Sequence, residues 1–125
     1  MQEQVYMLEE LRIIVHGIVQ GVGFRAAAKQ FADKLQLRGY VCNLPDGKVE
    51  LCAQGPKEKL EELVKQLKRV FGKEYIHNLE ITYRKATSTY PDFQIKRSFW
   101  KVVEEYNPLS DNLNPGALAR SNPAF

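Results

Sequence analysis

Residues 11–25 read LRIIVHGIVQGVGFR, and this stretch holds the features that decide both the fold and the candidate site. It begins with aliphatic and β-branched side chains, a pattern typical of a well-buried β-strand. Glycines at positions 17, 21 and 23 then interrupt that pattern with a loop. From Phe24 onward apolar residues recur at helical spacing with polar residues between them. The stretch therefore predicts a strand, a glycine-rich loop and an amphipathic helix.

The rest of the chain continues this alternation of strands and helices. The turn Leu44-Pro45-Asp46-Gly47 separates two apolar runs, and Pro-Asp-Gly in that position predicts a β-hairpin. Pro56 suits the start of a second helix, and Gly72 suits its C-terminal cap. The remaining predicted strands cover residues 40–43, 48–53, 76–83 and 93–96.

This element order defines the expected fold class and domain organisation. Strand, helix, strand, strand, helix and strand, followed by one short extra strand, predict an α+β protein of the ferredoxin-like split βαβ type. Such a sandwich places two helices on one face of an antiparallel sheet. We expect residues 1–10 to form a lead-in and residues 11–97 the domain. We expect residues 98–125 to form a C-terminal extension that is flexible beyond Tyr106, because Asn-Pro pairs interrupt it and aliphatic periodicity fades.

The length and composition indicate a single intracellular domain. The chain has 125 residues and a formal net charge of +3, which suits an anionic ligand without requiring one. The first residues show no signal-peptide pattern, and no apolar run is long enough to span a membrane. Two cysteines without metal-ligand spacing predict neither a zinc site nor a disulfide framework. We therefore expect a cytoplasmic protein that has no membrane partner and uses no metal or cofactor.

The start of the first helix lacks the residues that usually cap a helix. A helix normally begins at Ser, Thr, Asp or Asn, whose side chain accepts hydrogen bonds from the first N–H groups. Here Gly21, Val22 and Gly23 precede Phe24, so those N–H groups are left for an external acceptor such as a phosphate. Arg25 opposes the helix dipole unless an anion lies beside it. A surface arginine after a tight glycine turn fits the same residues about equally well.

Two motifs resemble those of a known family. Residues 17–25 match the acylphosphatase signature G-x-V-Q-G-V-x-F-R. Residues 39–49 match a second signature, in which a glycine, an aromatic residue and a small apolar residue precede an asparagine, here Asn43. The resemblance covers about residues 11–97 and implies the fold predicted above. Cys42, which precedes Asn43, and the extension at residues 98–125 depart from the family pattern.

The resemblance implies a metal-free hydrolysis of the carboxyl-phosphate bond of a small acyl phosphate. Arg25 and Asn43 are the implied catalytic residues, Arg25 holding the phosphate and Asn43 orienting the attacking water. The implied phosphate-binding residues are Gly17, Val19, Gln20, Gly21, Val22, Gly23, Phe24 and Arg25. For the Gln20 side chain we expect support of the loop rather than chemistry. A carboxylate leaving group needs no general acid, which agrees with the absence of an obvious one.

Other readings of the sequence stay open. The same fold serves RNA-binding domains, but residues 38–45 break their aromatic strand motif, so we expect no nucleic-acid partner. A non-catalytic phosphate-binding module is the second alternative. Hydrogenase-maturation proteins that carry a domain of this kind continue into cysteine-rich zinc segments. This sequence contains no such segment, so we expect a free-standing enzyme, and separately we expect a monomer. Carbamoyl phosphate remains a candidate substrate.

For several other residues we expect structural roles. His16 lies just before the loop, and a lone strand histidine is more often packed or hydrated than chemical. His77 has no predicted partner, and Cys42 and Cys52 are interpreted as small apolar residues. We also expect residues 99–106, which include Trp100, to cover the sheet face opposite the helices.

Overall fold

The computed structural model describes residues 8–97. In chain order its elements are β1 (Glu9–Gly17), α1 (Phe24–Lys34), β2 (Arg38–Asn43), β3 (Val49–Gly55), α2 (Lys57–Tyr75), β4 (Ile76–Lys85) and β5 (Phe93–Lys96). The five strands form one sheet in the order β4-β1-β3-β2-β5. The predicted α+β, ferredoxin-like arrangement is confirmed. None of the helices in the described range is both long and apolar enough to cross a membrane.

The direction of the last strand corrects one detail of the predicted fold. Pairing is antiparallel between β1 and β3, β1 and β4, and β2 and β3. In contrast, β5 pairs with β2 in parallel, so the sheet is mixed rather than purely antiparallel. The physical reason lies in the connection from residue 86 to residue 92, which crosses from one edge of the sheet to the other. The chain reverses after β4, and β4 is antiparallel to β1 and β2, so the reversed strand runs parallel to β2.

The core lies between the helices and one face of the sheet. Alternate β1 residues, Leu11, Ile13 and Val15, are at most 1% exposed and contact both helices through a single apolar cluster. Phe24 of α1 and Phe71 of α2 stack with ring centroids 4.9 Å apart. Alternation of side chains along a strand explains why the same β1 segment contributes polar residues to the opposite face.

That opposite face buries charged and polar side chains that are hydrogen-bonded. Glu10 is 4% exposed and lies 2.6 Å from an Arg84 guanidinium nitrogen. Glu50, 1% exposed, accepts a 2.7 Å hydrogen bond from Arg12. Such pairing offsets the cost of removing a carboxylate from water.

Two expectations from the sequence are not tested by residues 8–97. The cover of this sheet face by residues 99–106 lies outside the described residues, as does the whole extension at residues 98–125. The predicted domain boundaries stay predictions.

Element ends differ slightly from the pattern-based expectations. β1 begins at Glu9, two residues before the predicted start, because Glu9 and Glu10 continue the pairing with both β3 and β4. The main helical segment of α2 stops at Gly72, where the prediction placed its C-terminal cap. This glycine adopts the non-helical angles φ 64° and ψ −172°, which kink the chain before a short second helical stretch ends at Tyr75.

Candidate active site

The glycine-rich loop begins where β1 contacts the junction of α2 and β4. Gly17 has φ 139°, and a Cβ atom placed there would lie 2.0 Å from the carbonyl oxygen of Tyr75. The next residue, Ile18, donates its backbone N–H to the same oxygen at 2.8 Å. Only glycine permits this close approach. Gly17 thus fixes the base of the loop against the fold.

The loop ends at a helix start that has no side-chain cap. Gly23 is the N-cap residue, with φ 83° and ψ 14°, and no side chain of residues 8–97 accepts a hydrogen bond there. Gly21 is also left-handed, with φ 79°. The first turn of α1 contains no acidic residue. Glycines in this conformation turn successive backbone N–H groups toward one side, an arrangement that suits an anion.

Replacement of Gly23 by alanine is expected to strain the backbone without a steric clash. A Cβ atom at Gly23 would meet no other atom of the described residues within 4 Å, but the left-handed φ of this position disfavours a residue with a side chain. We expect Gly23→Ala to lower the free energy of unfolding by about 1–2 kcal/mol, measured by urea denaturation. Gln30→Ala, on the exposed face of α1, is the control and should change it by less than about 0.5 kcal/mol. Equal stability of both variants would contradict this interpretation of the loop.

Arg25 lies beside a shallow cavity at the helix start. The cavity has a volume of about 200 Å³ and is lined by Val19, Gly21, Gly23, Phe24, Arg25, Ala26 and Ile95. It brings together five of the residues predicted to bind phosphate, whereas Gly17, Gln20 and Val22 are not in its lining. Ile95 was not predicted, because it belongs to β5 and lies outside both motifs. Its pairing with Val41 of β2 places it near the site.

A larger cavity lies elsewhere, between the end of α2 and β4. Its volume is about 480 Å³, and its lining includes Lys68, Lys73 and His77. Size alone does not identify an active site. The smaller cavity combines a guanidinium group with uncapped backbone N–H groups, and we therefore place the candidate site there.

Asn43 lies at the same end of the sheet as the start of the glycine-rich loop, where β1 and β2 both terminate. It pairs with Val49, which in turn pairs with Val15 of β1, so Asn43 lies level with the end of β1. Both β1 and β2 are antiparallel to β3, so the C-terminal ends of β1 and β2 lie at the same end of the sheet. Val41 belongs to the core under the helices, and alternation places the Asn43 side chain on that same face.

The side-chain oxygen of Asn43 is an exception to the usual pairing of buried polar atoms. Within residues 8–97, Asn43 Oδ1 is the one buried side-chain nitrogen or oxygen without a hydrogen-bond partner. A buried acceptor without a donor costs about 1–3 kcal/mol, so such an atom requires an explanation. A water molecule or a ligand hydroxyl that donates a hydrogen bond to this atom would supply it.

Gln20 connects the loop to the β2–β3 hairpin. Its side-chain nitrogen Nε2 donates to the carbonyl oxygens of Leu44 and Lys48, both at 2.8 Å. The Gln20 side chain is thereby directed toward the hairpin backbone and away from the cavity lining. This geometry suits the loop-supporting role expected for it.

The remaining polar candidates have structural partners. His16 Nε2 contacts the Glu80 carboxylate, and Cys42 Sγ donates to Glu50 at 3.8 Å. Both cysteines are buried on the sheet face opposite the helices. Burial, together with the nearby Glu50 carboxylate, raises the pKa of Tyr40 far above its ordinary value, so this phenol stays neutral. Among residues 8–97 no three His, Cys, Asp or Glu side chains are grouped as metal ligands.

Comparison with known proteins identifies the same family that the two sequence motifs resemble. A sequence model of the family described as Acylphosphatase matches residues 11–95. The chain is 39% identical over 87 residues to an acylphosphatase of Caldivirga maquilingensis, covering 69% of this chain and 92% of that protein. It is also similar to the crystal structure of acylphosphatase from Bacillus subtilis, with a TM-score of 0.66 and 36% identity, covering 70% of this chain and 98% of that one.

A third similarity involves a much larger protein. Full-length HypF, in its phosphate- and nucleotide-bound form, matches with a TM-score of 0.63 and 26% identity, covering 73% of this chain but 12% of that one. The similarity therefore concerns one part of HypF. The family match extends over most of this chain and includes both motifs, and the Caldivirga relative is covered almost completely. This chain belongs to the acylphosphatase family of enzymes.

Proposed function

We propose that this chain hydrolyses the carboxyl-phosphate bond of small acyl phosphates to a carboxylate and inorganic phosphate. Arg25 and the backbone N–H groups of loop 17–23 hold the phosphate, and Asn43 places the attacking water. The observation that carries this proposal is the buried Oδ1 of Asn43, which has no hydrogen-bond partner within residues 8–97. Asn43 is not in the lining of the Arg25 cavity, but it lies level with the end of β1, from which the loop leads to the uncapped start of α1, and this supports a water acceptor on the side of the anion site.

Phosphate binding uses the charge and geometry of the helix start. The uncapped N–H groups of α1 carry the positive end of the helix dipole. Arg25 adds a planar guanidinium group that forms two hydrogen bonds to one phosphate. Phosphoryl transfer spreads negative charge over the equatorial oxygens, and these fixed donors stabilise it in the transition state.

Asn43 orients the water. The water donates one hydrogen to Asn43 Oδ1, which leaves an oxygen lone pair directed at phosphorus. A bond forms between the water oxygen and phosphorus, while the bond from phosphorus to the acyl oxygen breaks. The bonding electron pair leaves with the carboxylate, whose conjugate acid has a pKa of roughly 4. The water proton passes to a phosphate oxygen, whose second pKa is about 6.

This division of roles assigns no step to a metal ion or a general acid. The leaving group departs as a weakly basic carboxylate, so it does not need to be protonated. Charge on the phosphate is balanced by Arg25 and the loop N–H groups. We accordingly propose a metal-free, cofactor-free enzyme that acts as a monomer in the cytoplasm and has no nucleic-acid partner.

Hydrolysis of benzoyl phosphate in the presence of EDTA tests the proposal. We expect the purified protein to turn over this substrate at the same rate with and without EDTA, and inorganic phosphate to inhibit competitively. Loss of activity in EDTA that Mg²⁺ restores would contradict the metal-free mechanism. Phosphate binding by the folded protein without turnover would instead support the alternative, a non-catalytic anion-binding module. Carbamoyl phosphate, assayed in parallel, tests the tolerance for the acyl group.

A further inference from the structure

We propose that Gln20 is a positioning residue, which fixes Asn43 relative to the phosphate-binding loop. The inference rests on the proposed function, because it assigns Asn43 the water. Gln20 lies in the loop between Val19 and Gly21, both of which line the Arg25 cavity. Its side chain binds the hairpin that directly follows Asn43. A single side chain thus joins the two halves of the site, which are far apart in sequence.

The two acceptors of Gln20 are the carbonyl groups that close the hairpin turn. Leu44 donates its N–H to the Lys48 carbonyl at 2.8 Å, and the Leu44 carbonyl accepts from Gly47 N–H at 3.2 Å. Each carbonyl also accepts a 2.8 Å hydrogen bond from Gln20 Nε2. A carbonyl oxygen has two lone pairs, so both bonds form without competition.

The turn has enough internal bonds to form without Gln20. Asp46 accepts hydrogen bonds from the Lys48 side chain at 2.7 Å and from the Lys48 backbone N–H at 3.1 Å. The side-chain hydrogen bond from Lys48 is the main reason that the pKa of Asp46 is lowered. What Gln20 adds is therefore the position of the turn relative to the loop.

Asn43 is where this constraint affects the site. Its backbone is held on one side by pairing with Val49 and is followed at once by Leu44, an acceptor of Gln20. A small movement of the hairpin would carry Asn43 Oδ1 and its water away from the phosphorus. Misplacement by about 1 Å is enough to slow a reaction about 100-fold.

Glutamine is the side chain that suits this position. Its amide nitrogen donates two hydrogens without carrying a charge. A glutamate of the same length would present acceptors to two carbonyl oxygens, and a lysine would add a cation next to the phosphate loop. The test variants at position 20 therefore remove the two hydrogen-bond donors on this neutral nitrogen.

A double-mutant cycle tests the inference. Steady-state hydrolysis of benzoyl phosphate is measured for wild type, Gln20→Leu, Asn43→Ala and the double variant. We expect Gln20→Leu to lower kcat about 10- to 100-fold while KM and the inhibition constant of inorganic phosphate change less than about twofold. In the Asn43→Ala background the same substitution should change kcat less than about twofold, because the residue through which Gln20 acts is gone.

Two other outcomes would overturn the inference. An equal loss of kcat in both backgrounds indicates a general structural role. A loss confined to phosphate affinity indicates that Gln20 contacts the phosphate itself. Gln66→Leu on α2, whose side chain donates to Glu62 at 3.1 Å, is the matched control and should retain wild-type kinetics. If Gln20→Leu does not fold, Gln20→Glu, which keeps the length and removes the donor, takes its place in the cycle.

An NMR measurement separates this inference from the proposed function. The side-chain amide signals of Asn43 are expected to shift or broaden in Gln20→Leu, while those of Gln66 on α2, whose side chain donates to Glu62, stay in place. This readout needs no turnover. Absence of wild-type hydrolysis would refute the proposed function alone, whereas unchanged Asn43 signals in a folded Gln20→Leu protein would refute the positioning role.

Discussion

Asn43→Ala is expected to lower kcat for benzoyl phosphate about 100- to 1,000-fold, the range seen when one oriented polar group is removed from an active site. The affinity for inorganic phosphate should stay close to that of wild type, since Arg25 and the loop N–H groups are intact. Stopped assays of benzoyl phosphate hydrolysis, together with phosphate inhibition, measure both quantities. The reason for the large effect is that the variant loses the acceptor that orients the water.

The stability of Asn43→Ala distinguishes a catalytic role from a structural one. In the described part of the chain Asn43 Oδ1 is buried without a partner, so its removal relieves an unsatisfied polar atom. We expect the free energy of unfolding to stay within about 1 kcal/mol of wild type or to increase. Asn78→Ala, at an exposed position of β4, is the matched control for both measurements. A variant that is both active and destabilised would show that Asn43 serves the fold instead.

Arg25→Gln is expected to lower kcat/KM about 100- to 1,000-fold, and here phosphate binding weakens as well. Arg25→Lys keeps the charge but loses the planar pair of donors, so we expect it to recover only part of the loss. The measurement is kcat/KM together with the inhibition constant of inorganic phosphate. Arg69→Gln, at an exposed position of α2, is the control for loss of one positive charge. Weakening of phosphate inhibition separates this variant from Asn43→Ala.

The same Arg25 substitution is expected to stabilise the folded protein. Arg25 is in the first turn of α1, which contains no acidic residue, so its charge opposes the helix dipole. Removing that charge should raise the free energy of unfolding by about 0.3–1 kcal/mol at low salt. A gain in stability combined with a loss of activity indicates a residue kept for the ligand. Loss of stability, or undiminished phosphate inhibition, would contradict the role assigned to Arg25.

Local sequence patterns contained most of the architecture. The alternation of apolar residues in β1 and the helical spacing after Phe24 follow from burial of one face of each element. The sequence alone also indicated that the first helix begins at a glycine and has no capping side chain. These are near-neighbour effects, which depend on residues a few positions apart. The helix start pointed to Arg25 as an anion ligand, and the family resemblance then implied the roles of Arg25 and Asn43.

Tertiary structure alone decided how the pieces meet. The parallel direction of β5, the presence of Ile95 beside Arg25, and the two hydrogen bonds from Gln20 to the hairpin each join residues far apart in the chain. That Asn43 Oδ1 has no partner in the described part of the chain is likewise a property of its surroundings and not of its identity. Hydrophobic periodicity specifies which face of an element is buried, but sheet order and register determine which distant residues that face contacts.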